Sequence, residues 1–346
     1  MPETYEQPYY TPEEITPQLL SGAVDETQPR LSRVTEFAER LERDSENIEI
    51  EVMIEQYDEA AHVVGFSDSS ILVDGMKATR RVINPFHIRN ASAIKAGDRR
   101  GEVMRQGDGF VVSQDAINRR IAYLERRRSV LQRIALLSMI NDRQFTYNDP
   151  ERKIKISIPY VADIGKMAAV ATKIGAAGFN MTAYLYATKS EFYKASGQVP
   201  THAFMNSKTG GKAIEDPGLR AAFEAAQSSD PDNSGRLFDS FTYGGINFNI
   251  LHEQYPLLDG TLKDPIDDGR IVWTVEEVEG TGEEAGSPFK ILSAENIFNN
   301  DDAGSPYFDS YHISDDPFQI GVRMYDNMIP TILKKNIVMQ QDSVYS

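Results

Sequence analysis

The sequence of 346 residues contains no cysteine, which removes several kinds of chemistry at once. Without thiols the chain can form no disulfide, no zinc–thiolate site and no cysteine nucleophile. It also lacks any apolar run that approaches the roughly 20 residues of a membrane-spanning helix. Its N-terminus is polar and acidic and therefore predicts no signal peptide. We expect a soluble protein that makes no membrane contact and is cytosolic when it is made.

Histidine is scarce as well, and the five histidines show no spacing typical of a metal-binding pair. No serine lies in the context of a nucleophile elbow, and no glycine-rich phosphate loop precedes a lysine followed by Ser or Thr. His252 stands beside Glu253 at a predicted strand end, where an exposed polar pair is the simpler interpretation. The sequence therefore predicts no catalytic residue, no metal ligand and no cofactor.

Two loops resemble ligand-binding motifs at first sight. Asp230–Gly235 has the oxygens and the glycine of a calcium loop, but its twelfth position should be a bidentate Glu and is Phe241. Gly280–Gly286 follows a predicted strand, as a dinucleotide loop would, but its third glycine comes one residue late. Two carboxylates also stand there where a pyrophosphate would bind. An ordinary turn and a charged loop tip are the simpler interpretations.

Charge is arranged along this chain in blocks. Residues 1–59 hold sixteen Asp and Glu against four Arg and no Lys, whereas residues 77–133 hold fourteen Lys and Arg against five acids. Blocks of opposite sign favour head-to-tail association of copies and help to set its register. The net charge of −16 disfavours nucleic-acid binding, because that affinity comes from neutralising phosphates with Lys and Arg. The pattern predicts a subunit that associates with copies of itself.

The residues before Ser113 are predicted to form little core of their own. Five prolines favour an extended arm over residues 1–30, with a short helix start at Thr11, and Leu31–Arg43 is predicted to be one more helix. Residues 48–58 alternate apolar and acidic, as a strand does. The stretch Gly65–Gly109 has only small apolar clusters. We therefore expect a long β-hairpin that projects from the body and needs a neighbour beneath it.

A long helix is predicted from Gln114 to about Ile140. Ser113 is a good N-cap, and no Gly or Pro interrupts the sequence until Pro150. At 1.5 Å per residue this helix would be roughly 40 Å long. Its apolar stripe consists of Ile117, Ile121, Leu124, Leu131, Ala135 and Ser138, widened by Ile134 and Leu137. Its other face is basic, and we predict that this face contacts another subunit or the acidic arm. The candidate subunit-interface residues are Arg80, Arg81, Arg99, Arg100, Arg119, Arg120, Arg126, Arg127 and Arg128.

Beyond this helix the sequence predicts a mixed body without internal repeats. Strands are predicted at 145–147, 153–158, 181–187, 243–253, 271–278, 318–325 and 329–339. Helices are predicted at 161–176, from 190 onwards and at 219–227, and loops at 196–217, 228–235 and 280–288. Because helices and strands do not alternate regularly, α+β is the predicted fold class.

In this order of elements the chain resembles the lambda-type major capsid proteins of tailed phages. This family, major capsid protein E, has the Hong Kong 97 fold. The likeness is carried by the hairpin ending near Arg89–Val103, by Arg126–Arg128 followed by Gln144–Tyr147, and by Asp316–Gln319 through Ile329–Pro330 to Val338. It covers the chain from about Glu51 to the end. It is a likeness of architecture and of short patches.

The resemblance implies four structural parts. They would be an N-arm at residues 1–47, an extended loop (E-loop) at 48–112, a peripheral domain at 113–160 and 303–346, and an axial domain at 161–302. The long helix would be the spine of the peripheral domain. Gly197–Asp239 and Leu258–Pro288 depart from the lambda pattern as extra loops of the axial domain.

The resemblance also implies a function without chemistry. The chain would be a major capsid protein whose hexamers and pentamers form an icosahedral head, with double-stranded DNA contained but not specifically bound. The implied partners are further copies together with decoration, scaffolding and portal proteins. The implied location is the virion, and the host cytoplasm during assembly. Two alternatives remain open, namely a shell subunit of a cellular nanocompartment (encapsulin-like) and a soluble enzyme built from scattered carboxylates.

Overall fold

The computed structural model describes most of the chain. The described residues are 9–22, 34, 37–43, 48–54, 77–83, 85–96, 102–106, 109–149, 153–160, 163–169, 172–229, 238–256, 261–280, 282–283, 285–294, 306–315 and 317–345. Arg99, Arg100 and the Asp230–Gly235 loop lie outside these residues, so the predictions made for them stay predictions.

Helices and strands are mixed along the chain. The helices are α1 (Pro17–Gly22), α2 (Gln114–Asp142), α3 (Met181–Ser196), α4 (Ser207–Ala213) and α5 (Pro217–Ser229), with a short 3-10 helix at Pro12–Glu14. The first ten strands are β1 (Tyr9–Tyr10), β2 (Ala38–Arg43), β3 (Ile48–Ile54), β4 (Lys77–Ile83), β5 (Phe86–Lys95), β6 (Val103–Gln106), β7 (Gly109–Ser113), β8 (Gln144–Asp149), β9 (Ile154–Pro159) and β10 (Ile164–Lys166). The others are β11 (His202–Asn206), β12 (Phe238–Tyr243), β13 (Ile246–Leu251), β14 (Tyr255–Pro256), β15 (Leu262–Lys263), β16 (Ile271–Thr274), β17 (Phe289–Ala294), β18 (Tyr307–Asp315), β19 (Phe318–Thr331) and β20 (Val338–Gln341).

One sheet is organised around the long strand β19. Strands β18 and β17 pair with successive parts of one edge of β19, and β5 pairs with the other edge. Strand β2 extends this sheet by pairing in parallel with β17. The spine helix α2 packs against β19 and β5, and the side chains between them, such as Ile94, Val322 and Met324, are fully buried. This helix-on-sheet layer forms one half of the core.

A six-stranded sheet forms the other half, in the order β10-β20-β16-β11-β13-β12. Its central strand β11 is buried at every position, as expected of a strand covered on both faces. Helix α3 packs on this sheet through Tyr184, whose ring lies 6.2 Å from that of Trp273. The Tyr184 hydroxyl donates to Gln341 Oε1 at 2.6 Å, which ties helix α3 to strand β20 of the sheet.

Several sequence predictions are confirmed. The spine helix begins after Ser113, whose Oγ accepts from the N–H of Ala116 at 3.3 Å. Strands β8 and β9 form the predicted pair of alternating strands, and α5 covers the predicted helix at 219–227. The short helix start at Thr11 is present, and the Thr11 N–H donates to Glu14 Oε2 at 2.7 Å, which satisfies an N-terminal donor.

The prediction of a strand at 181–187 is wrong, because these residues begin helix α3. Asn180 Oδ1 accepts from the N–H of Ala183 at 3.0 Å and caps the helix. The helix ends at Gly197, whose φ of 76° is the left-handed conformation that glycine adopts without strain. The predicted helix from residue 190 is therefore the second half of α3.

Three further predictions fail because tertiary pairing overrides local propensity. The helix predicted at 161–176 is absent from its described part, which contains the short strand β10, paired in parallel with β20, and a bridge from Ile174 to Tyr345. The loop predicted at 196–217 contains β11 and α4. The helix predicted at Leu31–Arg43 is replaced over Ala38–Arg43 by β2.

Two boundaries near the ends of the sheet also need correction. The predicted strand at 318–325 continues without interruption through Asp326 and Asn327 to Thr331 as β19. The predicted strand at 329–339 is therefore divided, because residues 332–337 lie outside both strands and 338–339 begin β20. Strand β5 was expected within a projecting hairpin but lies in the body, paired along ten residues with β19. Its apolar residues Phe86, Ile88 and Ile94 are buried there, and this burial explains its place.

Candidate assembly interface

The hairpin β3–β4 is paired along its whole described length but has little support from the body. Its register runs from Ile48 opposite Ile83 to Ile54 opposite Lys77. Among the described residues no other element packs extensively against either strand. A two-stranded hairpin is marginally stable alone, so this one needs an external surface. The register places Arg80 opposite Glu51 of the same hairpin and Arg81 opposite Ile50.

The N-terminal segment 9–22 is bound by the chain's own body. Strand β1 pairs with β7, and Ile15 and Leu20 are buried. The Ser310 hydroxyl donates to the carbonyl of Ile15 at 2.8 Å, next to the contact between α1 and β18. An arm without its own core is ordered only where something binds it. For residues 9–22 that partner is already present within the subunit.

The arginines of the spine helix have different surroundings. Arg119 Nη2 donates to the buried Glu102 Oε1 at 2.7 Å, which links the helix to the residue before β6. Arg120 is half-buried. Arg126 is exposed and has no ion-pair partner among the described residues, and Arg127 is exposed with Nη1 3.3 Å from the Tyr123 hydroxyl. Arg126 and Arg127 are thus the part of the basic face available to another molecule.

Arg128 is directed into the body instead. Its side chain is 11% exposed, and its Nε donates to Asp326 Oδ2 at 2.5 Å. Its Nη1 also donates to Glu125 Oε2 at 3.1 Å. On the other side of Asp326, Arg40 Nη2 donates to Oδ1 at 3.1 Å. This charge cluster (Arg40, Glu125, Arg128, Asp326) joins β2, the spine helix and β19, and Asp326 within it is only 2% exposed.

Glu125 has an altered affinity for protons in this cluster. Burial, and to a smaller extent the negative charge of Asp326, together raise its pKa to about 7. A protonated Glu125 leaves Arg128 to neutralise Asp326, which reduces the number of buried charges. The cluster therefore changes its charge close to neutral pH.

We predict that Glu125→Gln alters the pH dependence of stability. An unfolded Glu has a pKa near 4.5. Between pH 4.5 and 7 the native state therefore binds more protons than the unfolded state, and the free energy of unfolding falls as the pH rises. The amide cannot ionise. The variant should therefore gain up to about 3 kcal/mol relative to the unmodified chain between pH 4.5 and pH 8. Urea unfolding across this range would measure the difference, and a constant difference would contradict the assignment.

No group of three or more metal-ligating side chains occurs within the part of the chain that the structure describes.

His252 is not paired with Glu253, contrary to the interpretation from sequence. Its Nε2 lies 2.8 Å from Asp239 Oδ2 and its Nδ1 lies 2.8 Å from Ser207 Oγ. The Ser207 hydroxyl also lies 3.2 Å from the carbonyl of Leu251. This exposed row joins the start of α4 to β12 and β13, and spacing in the sequence gives no signal of it.

Glu253 has a different partner, Arg133, whose Nη1 donates to Glu253 Oε2 at 3.2 Å. This bond connects the spine helix to the segment after β13, and therefore to the six-stranded sheet. The polar contacts described above thus lie between layers of the chain or on its surface.

Within the described ranges, no helix has both the length and the apolar character needed to cross a bilayer.

Comparison with known proteins identifies the relatives of this chain. The family model described as phage major capsid protein E matches residues 24–339. A protein assigned as a prophage capsid protein of Escherichia coli CFT073 superposes with a TM-score of 0.59 at 12% identity, covering 94% of this chain and 98% of that chain. A phage-related protein of Bordetella bronchiseptica RB50 gives a TM-score of 0.58 at 9% identity, with 95% and 98% covered. Curated proteins give no match.

The capsid of a native GTA particle also matches, with a TM-score of 0.51, 10% identity and coverage of 92% of this chain and 93% of that chain. Similarities at these identities establish the fold, which is the Hong Kong 97 fold. The family match spans most of the chain and describes structural proteins of the virion, which disfavours the enzyme alternative. This chain belongs to the phage major capsid protein E family and is a subunit that forms the capsid shell together with other copies.

Proposed function

We propose that copies of this chain form hexamers and pentamers, and that these build an icosahedral head around double-stranded DNA. The observation that carries the proposal is the hairpin β3–β4, which is paired along its described length yet has no extensive contact with the described part of its own body. A neighbouring subunit supplies the surface that such a hairpin needs. The net charge of −16 supports a container that holds DNA without binding it tightly.

We propose the four-part division for this chain, with the N-arm at 1–47, the E-loop at 48–112, the peripheral domain at 113–160 and 303–346, and the axial domain at 161–302. The packing of the spine helix on β19 supports the peripheral assignment, and the six-stranded sheet supports the axial one. The pairing of two strands favours different domain boundaries. Strand β17, which these bounds assign to the axial domain, pairs with β19 of the peripheral domain. Strand β20, which they assign to the peripheral domain, pairs with β16 of the six-stranded sheet.

The further partners are inferred from the family and not from a particular contact. We propose decoration, scaffolding and portal proteins as partners in the virion, and the host cytoplasm as the place of assembly. The nine arginines predicted for subunit interfaces do not all contribute in the same way. Arg126 and Arg127 are the best candidates because they are exposed on the spine helix, whereas Arg128 is occupied by Asp326.

Electron cryo-microscopy of particles from infected or expressing cells tests this proposal. We expect closed shells in which the chain forms both sixfold and fivefold rings, with nuclease-protected double-stranded DNA inside the particles from infected cells. A single small closed oligomer as the final assembly would contradict the proposed shell. Empty shells in infected cells would contradict the proposed content.

We predict that reversing Arg126 and Arg127 to Glu reduces the yield of particles at least tenfold. Each exposed pair contributes about 0.2–1 kcal/mol, but the loss is repeated at every copy of the contact. The monomer should keep its fold, because both side chains are exposed. Sedimentation gives the yield and circular dichroism gives the fold. The matched variant, with both residues changed to Lys, keeps the charge and should assemble; equal yields for the Glu and Lys variants would contradict the role of charge.

A further inference from the structure

The exposed side of the spine helix carries a basic stripe. Its exposed members are spaced by four, three and one residues, which places them along one side of the helix. They are Arg119, Tyr123, Arg126 and Arg127, and we call these four residues the basic stripe. Arg119 is neutralised by Glu102, with 2.7 Å between Nη2 and Oε1. Arg126 and Arg127 have no ion-pair partner among the described residues, so they carry the uncompensated charge of the stripe.

The basic stripe is partly organised before any partner binds. The guanidinium carbon of Arg127 lies 5.8 Å from the centre of the Tyr123 ring, and its Nη1 lies 3.3 Å from the Tyr123 hydroxyl. A side chain held in this way loses less rotamer entropy when a partner orders it. Tyrosine and arginine are also the residues enriched at the energetic centres of protein interfaces. The stripe therefore fits an acidic protein segment that can reach an exposed helix.

The six-stranded sheet carries an acidic loop beyond the end of β16. Residues 276–284, which we call the acidic loop, contain five glutamates and no Lys or Arg. No other nine-residue segment of the sequence holds five acids. Glu276, Glu277 and Glu279 are exposed, and none of these three has an ion-pair partner among the described residues. The acidic loop therefore has the charge that the basic stripe lacks.

The base of the acidic loop is fixed by hydrogen bonds. Val278 is buried, its N–H donates to the carbonyl of Gly286 at 2.6 Å, and its carbonyl accepts from the Gly286 N–H at 3.1 Å. Gly286 has a φ of 84°, a left-handed conformation that glycine adopts without strain. The N–H of Glu276 also donates to Thr201 Oγ1 at 2.6 Å. The exposed carboxylates are therefore presented from a fixed base.

We propose that the basic stripe of one subunit binds the acidic loop of a second copy. The inference rests on the proposed function, because it names a contact between copies of the shell subunit. The stripe belongs to the spine helix and the loop to the six-stranded sheet, so the contact joins two different surfaces. Contacts of this kind repeat head to tail and close into rings when the rotation between copies allows it. Hexamers and pentamers are rings of this type.

Other occupants fit the basic stripe less well. Residues 9–22 are bound by their own body, and residues 23–36 mix their acids with Arg30 and Arg33. Among the described residues, no ion pair joins the stripe to the acidic loop of the same subunit. DNA is disfavoured because two uncompensated cations neutralise few phosphates and the net charge of the chain is −16. Charge complementarity thus favours the acidic loop of another copy.

A charge exchange tests the proposal. The variant Glu276→Arg, Glu277→Arg should lower the yield of particles at least about tenfold, because the loop would then repel the stripe. Adding Arg126→Glu and Arg127→Glu to the same chain restores opposite charges across the contact. This exchange variant should return to within about threefold of the unmodified yield. Sedimentation gives the yield, and circular dichroism shows that the subunits keep their fold, as expected for exposed side chains.

The matched control places the two new arginines at other exposed positions. Glu13→Arg and Glu224→Arg, combined with the same reversal of Arg126 and Arg127, have the composition and net charge of the exchange variant. The control should stay at least about tenfold below the exchange variant, because it restores no complementary contact. Equal yields of the two variants would overturn the proposed partner.

Chemical crosslinking tests the same contact without reversing any charge. The variant Arg126→Lys, Arg127→Lys introduces amines into the stripe, and a carbodiimide links an amine to a carboxylate in direct contact with it. Particles are assembled from mixed ¹⁵N-labelled and unlabelled chains, crosslinked and analysed by peptide mass spectrometry. We expect links between positions 126 or 127 and residues 276–284, with both isotopes present in one linked pair.

The outcomes separate this inference from the function on which it rests. Particles without these links, or links to another segment, to a different protein or within one chain, would overturn the contact while the shell remains. A normal yield of shells with less DNA from the variant Arg126→Glu, Arg127→Glu would overturn it as well, in favour of nucleic acid. Failure of the unmodified chain to form shells would instead contradict the proposed function, and the contact with it.

Discussion

Replacing Arg128 with glutamate is expected to unfold the subunit or to lower its free energy of unfolding by at least about 3 kcal/mol. The new carboxylate would stand beside Asp326 and Glu125, both largely buried, in place of the cation that neutralises them. Arg40 would remain as the counter-charge of Asp326, at 3.1 Å from it. Denaturant unfolding of the purified chain measures the change.

The matched control for this prediction is Arg126→Glu, two residues earlier on the same helix. Arg126 is exposed, so its reversal should change the free energy of unfolding by no more than about 0.5 kcal/mol. The two variants have the same change in composition and net charge. Equal losses of stability would show that the charge cluster does not hold the helix to β19.

Removing the hairpin is expected to abolish assembly while the subunit keeps its fold, in contrast to the Arg128→Glu variant, which loses folding stability. Residues 49–82 can be replaced by a short Gly-Ser linker, because Ile48 and Ile83 are register partners and opposite residues in such a pair lie about 5 Å apart. No extensive contact between the described body and the hairpin would be lost. Sedimentation should then show a folded species with no particles.

A charge exchange within the hairpin provides the control. Glu51 and Arg80 are opposite each other, so the double variant Glu51→Arg, Arg80→Glu keeps a cross-strand pair of opposite charge and should assemble. Normal shells from the chain without its hairpin would contradict the proposed interface. An unfolded chain after the replacement would mean that the hairpin supports its own body.

The spine helix shows how far the sequence alone can lead. Its N-cap and the absence of Gly and Pro predict its start at Gln114 and its end near Ile140. In the structure the helix ends two residues later, at Asp142. Its charge pattern is harder to interpret, because Arg126, Arg127 and Arg128 are adjacent in sequence but Arg128 does not share the exposed face of the other two. The helical spacing contained the missing information. Arg128 follows Leu124 by four residues and precedes Leu131 by three, so it occupies a position of the apolar stripe.

Other errors came from segments whose local signals were ambiguous. Residues 181–187 have aromatic and apolar side chains that suit a strand, but Asn180 is an N-cap residue and Gly197 a helix terminator. Strand β11 contains His202 and Asn206 and lacks alternation, so it resembled a loop, although it lies in the centre of a sheet. Short apolar runs of this kind cannot be assigned by periodicity alone.

Long-range pairing could not be derived from the sequence. Strand β2 becomes a strand because β17 provides its partner, about 250 residues later in the chain. The same pairing brings Arg40 to Asp326, a contact that no local pattern encodes. The ion pair of Arg323 with Asp309 and its packing on the Tyr311 ring likewise depend on the register between β19 and β18. Residues that meet only through such registers were beyond the reach of spacing and composition.

Sedimentation velocity with electron microscopy of the purified chain shows whether the subunit assembles by itself. We expect rapidly sedimenting closed shells, or hexamers and pentamers with central holes that close into shells when a crowding agent is added. A uniform monomer or dimer that stays unassembled under all of these conditions would contradict a self-assembling shell subunit.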